Sequence, residues 1–213
     1  MNLPILIENE NFLAIDKATG LSVHNERADE ASVLSLLSDG FYLVHRLDKE
    51  TSGVLLLAKS KIVAQELASA FQARETKKLY SAVLRGELKT SKFEWSWPIS
   101  DQAEGRKNPQ GLTQVRKESL TKGEIISQNK FFSFVRLQIF TGRQHQIRKH
   151  AALAKHPIVG DPRYNDPKYN QRMADLYKTS RMFLHAEELE FVFRKVPIKI
   201  RSETPIDFQN LII

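Results

Sequence analysis

The 213-residue sequence predicts an α+β fold built on a mixed sheet, and two observations support that class. Helical and strand-like patterns interleave without the regular spacing of βαβ units, which argues against a doubly wound parallel sheet. Hydrophobic residues make up 41% of the chain and aromatic residues 9%, enough for a packed core. No repeat or linker-like change in composition divides the chain, so we expect one domain over residues 1–213.

The N-terminal half alternates short apolar runs with helical periodicity. Residues 31–37 have helical spacing, and Ser60 is a plausible N-cap for a helix whose apolar face carries Val63, Leu67 and Phe71. The short apolar runs rich in β-forming residues predict strands at 5–7, 12–16, 42–44, 54–58 and 79–84.

The C-terminal half begins with a loop predicted at 100–113 from its glycines and proline. A helix is predicted at 145–155, with Ile147 in its apolar stripe and with Arg148 and Lys149 on or near its polar side. Residues 160–181 are polar and predict a second loop that contains a short helix near 173–177. The remaining patterns predict strands at 131–140, 189–193 and 198–200.

Composition limits the classes of function. Lysine plus arginine is 32 and aspartate plus glutamate 25, a net charge of +7 that favours a polyanionic partner such as nucleic acid. The absence of cysteine excludes disulfides, a thiol nucleophile and cysteine metal sites. No apolar run approaches the ~20 residues of a membrane helix, and no signal peptide is visible, so we expect a cytoplasmic protein. No zinc, Walker or Rossmann motif is present, so no metal or nucleotide cofactor is predicted.

The first chemically suggestive segment is 45–53, which reads HRLDKETSG and lies between two predicted strands. A carboxylate such as Asp48 can attack or stabilise an electron-poor sugar carbon when a glycosidic bond breaks. Arg46 and Lys49 flank it, and Thr51 begins a run of small donors beside it. The same residues would also suit a surface turn with an ion pair.

Two further segments concentrate positive charge. At 141–150, which reads TGRQHQIRKH, cationic side chains meet a predicted helix N-terminus, an arrangement that favours phosphate. There Arg143 can also bind a carboxylate through two parallel bonds. A solvated basic helix face is the alternative. At 77–82, Lys78 precedes Tyr80, a strand tyrosine that could stack on a base or simply pack in the core.

Together these segments resemble the RluA-type pseudouridine synthases, because five pieces occur in that family's order. The central piece is HRLD followed by TSG at 45–53, and the likeness runs from about residue 5 to about residue 205. The other four pieces lie at 12–24, 78–86, 142–164 and 181–186. The sequence departs from the family pattern at Ala18, Leu84, Lys149 and Lys155.

The resemblance implies isomerisation of uridine in RNA to its C5-linked form, without metal or organic cofactor. Asp48 would be the catalytic carboxylate, acting by attack on the sugar or by promoting elimination. Tyr80 would lie against the uracil and act in proton removal, and Arg143 would pair with Asp48. The implied fold is a mixed, mainly antiparallel central sheet with flanking helices and an active-site cleft, as in short members without a separate N-terminal RNA-binding domain.

The same resemblance implies a flipped-out uridine, since a base inside a helix cannot be reached. Ile147 and Leu184 would wall its pocket, Arg46 would help fill the vacated space, and Thr51 would contribute a small donor. Charge alone makes Lys78, Arg148 and Lys149 candidates for phosphate contacts. The expected partner is a stem-loop of ribosomal or transfer RNA bound by a monomer, and the loops at 100–113 and 160–181 are candidates for RNA contact.

Two other classes of function remain open from the sequence. A non-catalytic RNA-binding or RNA-folding module would share the charge and the fold, but it has no need for Asp48, Tyr80 and Arg143 together. A metal-dependent nuclease would require Asp48, Asp161 and Asp166 to converge on one ion.

Overall fold

The computed structural model describes residues 3–24, 30–37, 39–73 and 75–212. The chain forms two compact units, the first made of Met1–Lys78 and His185–Thr204 and the second of Leu79–Leu184 and Pro205–Ile213. Each unit has a hydrophobic cluster of its own. No change in composition marks the junctions between the units in the sequence.

In chain order the described residues form strands and helices that we number separately. The helices are α1 (Val33–Leu36), α2 (Lys61–Gln72), α3 (Gln146–Leu153), α4 (Pro167–Tyr177) and α5 (Asp207–Asn210). The strands are β1 (Ile5–Glu8), β2 (Phe12–Lys17), β3 (Tyr42–Leu43), β4 (Ser52–Ala58), β5 (Lys77–Arg85), β6 (Lys92–Trp95), β7 (Ile99–Ser100), β8 (Arg116–Lys117), β9 (Thr121–Gln128), β10 (Phe132–Ile139), β11 (Leu184–Phe193) and β12 (Val196–Arg201).

Strand β4 is the centre of the first unit and is buried along its whole length. Strand β2 pairs with one of its edges in antiparallel fashion, and β1 pairs with β2. The other edge is shared, because β11 runs parallel to it at Ser52 and Gly53 while β3 runs antiparallel to it at Leu57 and Ala58. With β12 antiparallel to β11, this arrangement is the mixed, mainly antiparallel sheet that was predicted.

The parallel contact between β4 and β11 requires glycine at position 53. Gly53 has a φ of +109°, a conformation that side chains with a Cβ rarely adopt. A Cβ there would lie 2.3 Å from the carbonyl oxygen of Ala186, so β11 could not approach this closely. The glycine of the TSG sequence is therefore explained by packing at the start of β4.

The second unit is built around the strand order β5-β10-β9-β6, and β7 and β8 form a separate antiparallel pair. Strands β9 and β10 form an antiparallel hairpin, and β6 lies antiparallel to β9. Phe208 of α5 packs against the rings of Phe134 and Phe183 in the hydrophobic cluster of this unit.

Most predicted elements are confirmed, including the helix capped by Ser60, whose hydroxyl accepts a bond from the Val63 amide. Helix α4 is longer than the short helix predicted near 173–177, because it begins with an Asp166 N-cap and a proline in its first turn. Strands β6 and β9 were not predicted, since β9 has few apolar side chains and is stabilised by pairing on both edges. No helix in the described ranges has the length and apolar character of a membrane span.

Candidate active site

The predicted site residues fall into both units. Arg46, Asp48 and Thr51 lie in the first unit on the loop between β3 and β4, residues 44–51, which we call the Asp48 loop; Lys78 lies at the start of β5. The second unit contains the other predicted residues, which are Tyr80, Arg143, Ile147, Arg148, Lys149 and Leu184.

A buried lysine anchors the Asp48 loop. The ammonium group of Lys17, at the end of β2, donates to the carbonyl oxygens of Ala18 (2.9 Å), Leu21 (2.7 Å) and Lys49 (3.1 Å). Burial lowers the pKa of Lys17 to about 8, an effect that the nearby charge of Asp48 opposes. The ammonium therefore fixes the backbone next to Asp48 and places a positive charge near its carboxylate.

Further hydrogen bonds to the backbone of the Asp48 loop complete the turn. The Lys49 carbonyl also accepts from the Gly20 amide at 2.8 Å, and the Thr51 amide donates to the Asp48 carbonyl at 3.0 Å. The hydroxyl of Thr19 donates to the Glu50 carbonyl at 2.7 Å. On this rigid turn Asp48 is half-buried, Thr51 is buried and the side chain of Arg46 is exposed.

His45 supports the start of the same loop. Strand β3 ends at Leu43, and Nε2 of His45 accepts the backbone N–H of Leu56 in β4 at 3.0 Å. Its ring stacks on Phe71 with 5.0 Å between centroids. Burial and, to a smaller extent, the charge of Lys78 lower the pKa of His45 to about 3, so the ring is neutral at pH 7. The imidazole thus continues the edge of β3 while the backbone turns away toward Asp48.

Lys78 contacts the same aromatic ring as His45, that of Phe71. Its ammonium lies 4.5 Å from the centroid of the Phe71 ring, a cation–π contact. Burial lowers the pKa of Lys78 to about 8, so it is mostly protonated at neutral pH. Its predicted contact with phosphate stays a prediction.

Three predicted pocket residues belong to, or pack against, the hydrophobic cluster of the second unit. Ile147 of α3 and Leu184 are buried members of its hydrophobic cluster, and Tyr80 of β5 packs against that cluster while half-buried. Two apolar side chains and a phenol ring are residue types that suit contact with a planar base.

Arg143 lies three residues before α3 and is half-buried. Its Nε donates to the Glu118 carbonyl at 3.3 Å, and its Nη1 lies 3.5 Å from a carboxylate oxygen of Asp101. The backbone N–H of Arg143 donates to the Gln146 side chain at 3.2 Å. The segment then enters α3 through His145, whose φ of +56° lies in the left-handed region.

The predicted phosphate contacts of Arg148 and Lys149 are wrong. Both side chains are buried, and Arg148 forms two bonds with Asp161 at 2.8 and 3.0 Å. Lys149 donates to the carbonyls of Ser100 and Gln102, each at 2.7 Å. The predicted polar side of this helix does not face solvent. Helix α3 is buried from Gln146 to Ala151, so that side contacts other parts of the second unit.

Asp161 also organises the chain after α3. Its carboxylate accepts the backbone N–H groups of Arg163 (2.8 Å) and Tyr164 (3.0 Å), and the Tyr164 hydroxyl hydrogen-bonds with Nδ1 of His145 at 3.0 Å. The start of the predicted 160–181 loop is therefore an ordered turn. Sequence reasoning assigned no structural role to Lys17, His45, Asp101 or Asp161, because each acts through a partner distant in sequence.

The nuclease alternative fails on the positions of its ligands. Asp161 is held by Arg148, while Asp166 caps α4 and pairs with Arg106 at 2.5 Å. Across residues 3–24, 30–37, 39–73 and 75–212, no three histidine, aspartate or glutamate side chains are grouped to hold a metal ion.

Comparisons with known proteins identify the family of the chain. A model of the RNA pseudouridylate synthase family matches residues 11–153. A tRNA pseudouridine synthase C of Vibrio vulnificus is 33% identical over 230 residues, covering 98% of this chain and 94% of its own. A ribosomal large subunit pseudouridine synthase C of Pasteurella multocida is 31% identical, covering 95% of this chain and 64% of its own.

Among solved structures, human RNA pseudouridylate synthase domain containing 1 aligns with a TM-score of 0.80 and 27% identity, over 96% of this chain and 84% of that one. The family match covers most of the chain, and the curated relatives extend it over nearly the full length. The chain therefore belongs to the RNA pseudouridylate synthase family and is an isomerase that acts on RNA.

Proposed function

We propose that this enzyme converts a uridine of transfer RNA to pseudouridine, with Asp48 as its catalytic carboxylate. The support for transfer RNA comes from the names of curated relatives. The tRNA pseudouridine synthase C enzymes of Vibrio vulnificus, Haemophilus ducreyi and Vibrio cholerae are 33%, 32% and 31% identical over 98%, 98% and 99% of this chain.

The observation that carries the catalytic assignment is the anchoring of the Asp48 loop by Lys17. Reaction at the C1′ carbon of a sugar requires a carboxylate held within a few tenths of an ångström of its working position. The carbonyl of Lys49, one residue from Asp48, accepts from both the Lys17 ammonium and the Gly20 amide. The half-buried carboxylate is thereby held in place before RNA binds.

The isomerisation begins when the bond from C1′ to N1 breaks, with Asp48 attacking C1′ or promoting elimination. The freed uracil turns, and a bond forms between C1′ and C5. The C5 proton then leaves while N1 gains a proton, so no atom is gained or lost. Tyr80 lies against the uracil and acts in the proton removal, and Arg143 pairs with Asp48.

The apolar wall formed by Ile147 and Leu184 excludes water from the uracil while it is detached. The uridine is flipped out of its helix to reach this wall, and the exposed Arg46 fills the space it leaves. Thr51 and Lys78 complete the substrate contacts. The enzyme works as a monomer in the cytoplasm, without metal or organic cofactor.

The test compares wild-type enzyme with Asp48→Asn on unmodified tRNA, with pseudouridine formation measured by mapping of modified sites. We expect the substitution to lower the rate at least about 10³-fold, because the carboxylate is lost from the reacting centre. Asp39→Asn, at an exposed turn of the first unit, is the matched control and should keep wild-type activity.

Each part of the proposal can fail separately. Retained turnover in Asp48→Asn would refute the catalytic assignment. Modification of large-subunit ribosomal RNA with none in tRNA would refute the substrate assignment alone. RNA binding by wild-type protein without any pseudouridine in either RNA would favour the non-catalytic module.

A further inference from the structure

Asp101 connects two parts of the second unit around Arg143. One of its carboxylate oxygens lies 2.9 Å from the Lys117 ammonium and 3.5 Å from Nη1 of Arg143. The carboxylate also accepts the backbone N–H of Gln144, the residue after Arg143. A single side chain from the loop after β7 thus contacts both the backbone and the guanidinium of the segment that leads into α3.

The backbone around Asp101 is itself anchored to α3. Lys149, buried in that helix, donates to the carbonyl oxygens of Ser100 and Gln102, the two neighbours of Asp101. The hydroxyl of Ser100 donates to the Glu104 carboxylate at 2.7 Å. Arg143 and the anchor of Asp101 therefore belong to the same helix and its N-terminal extension.

Close packing keeps this loop in one conformation. Gly111 has a φ of +82°, and a Cβ there would lie 2.5 Å from the Glu104 carboxylate and 2.6 Å from the Ser100 side chain. The Gly111 carbonyl accepts two bonds from the Arg116 guanidinium, at 3.0 and 2.7 Å. The loop from Ser100 to Gly111 is thus closed at both ends, and Asp101 sits on a fixed support.

The electrostatics favour a charged Asp101. Burial raises the pKa of this carboxyl group, but the hydrogen bond from Lys117 and the charge of Arg143 outweigh burial and leave the pKa below its usual value. The group is ionised at neutral pH. An ionised carboxylate holds a guanidinium more strongly than a neutral acceptor does.

We infer that Asp101 is a positioning residue that holds one side of the Arg143 guanidinium, so that its remaining donors are oriented before substrate binds. A guanidinium has five N–H donors in a planar fork. Asp101 and the Glu118 carbonyl engage two of the nitrogens, Nη1 and Nε. This inference rests on the proposed role of Arg143 as the partner of Asp48.

The test uses Asp101→Ala and Asp101→Glu in the full chain, assayed for pseudouridine formation over a range of tRNA concentrations. For Asp101→Ala we expect kcat to fall about tenfold while KM stays within about twofold, because orientation is lost and RNA contacts are kept. Asp101→Glu should recover at least about a third of the wild-type kcat, since the charge is restored. Glu124→Gln, at an exposed carboxylate of β9, is the control with unchanged kcat and KM.

Thermal unfolding separates positioning from general damage. A Tm within about 2 °C of wild type in both variants, together with the fall in kcat, supports the inference. An unchanged kcat in Asp101→Ala overturns it, and so does a loss of kcat that follows a fall in Tm or is not recovered by glutamate. Asp48→Asn is assayed in parallel, because its inactivity alongside normal Asp101→Ala turnover refutes this inference while leaving the proposed function intact.

Discussion

The two segments that carry the proposed catalytic groups are held by different means. The Asp48 loop of the first unit is anchored by a cation, Lys17, that bonds only to backbone carbonyls. The segment of Arg143 and α3 in the second unit depends on charged pairs between side chains, above all Arg148 with Asp161. The first device ties a side chain to backbone groups, whereas the second pairs two charged side chains.

The comparison also shows that both units bury positively charged side chains. The net charge of +7 suggests a surface for RNA, yet Lys17, Arg148 and Lys149 are all buried. Burial of a charge is expensive unless it is paired or fully hydrogen-bonded. These cations therefore stabilise the fold through their buried hydrogen bonds.

Breaking the charged pair of the second unit should have the largest effect on stability. Arg148→Met leaves Asp161 buried without its partner, so the free energy of unfolding should fall by about 4 kcal/mol. Urea unfolding measures this, with Arg172→Met on the exposed side of α4 as the control. The salt dependence of RNA binding should not change, and a flatter slope would show that Arg148 does reach phosphate.

The two buried lysines allow the two units to be compared directly. Lys17→Met should cost about 3 kcal/mol and Lys149→Met about 2 kcal/mol, since each leaves carbonyl acceptors without a donor. The smaller value for Lys149 reflects its two carbonyl acceptors, against three for Lys17. Lys59→Met, which removes a surface ion pair with Glu8, should cost under about 1 kcal/mol. The reverse order of the two buried lysines in urea unfolding would contradict this comparison.

At neutral pH the smallest expected effect on stability concerns one histidine in each unit, because both rings are neutral there in the folded and the unfolded chain. Burial lowers the pKa of His45 to about 3 and that of His150 to about 4, both below the usual 6.5. Between these values and pH 6.5 the unfolded chain binds more protons, so stability is lost as pH falls through that window. Each histidine adds at most about 1.4 kcal/mol per pH unit to the slope of the free energy of unfolding against pH.

Unfolding in urea at several pH values measures this slope. His45→Gln should flatten it between pH 6.5 and about 3, and His150→Gln between pH 6.5 and about 4. An unchanged slope in either variant would show that the ring does not stay neutral in the folded state.

Local patterns were enough for much of the fold. The apolar run of β4, the alternation in β11 and the Ser60 cap are each encoded within a few residues, so they could be predicted. Strand β9 could not, because its pairing with β6 and β10 supplies the stability that its own side chains lack. The same distinction applies to α3. Its extent follows from the local pattern of residues, whereas its burial depends on other parts of the second unit.

The sequence by itself determined the class of fold, the order of the family's segments and the position of Asp48 on a loop between two strands. Only the tertiary structure decided which charges are buried, because burial depends on elements far apart in the chain. It made Lys17 an anchor, bonded the buried Arg148 and Lys149 to other protein groups and placed Asp101 against Arg143. The sequence does not show whether a charged side chain is exposed to water or buried against a partner, because that depends on how distant elements pack.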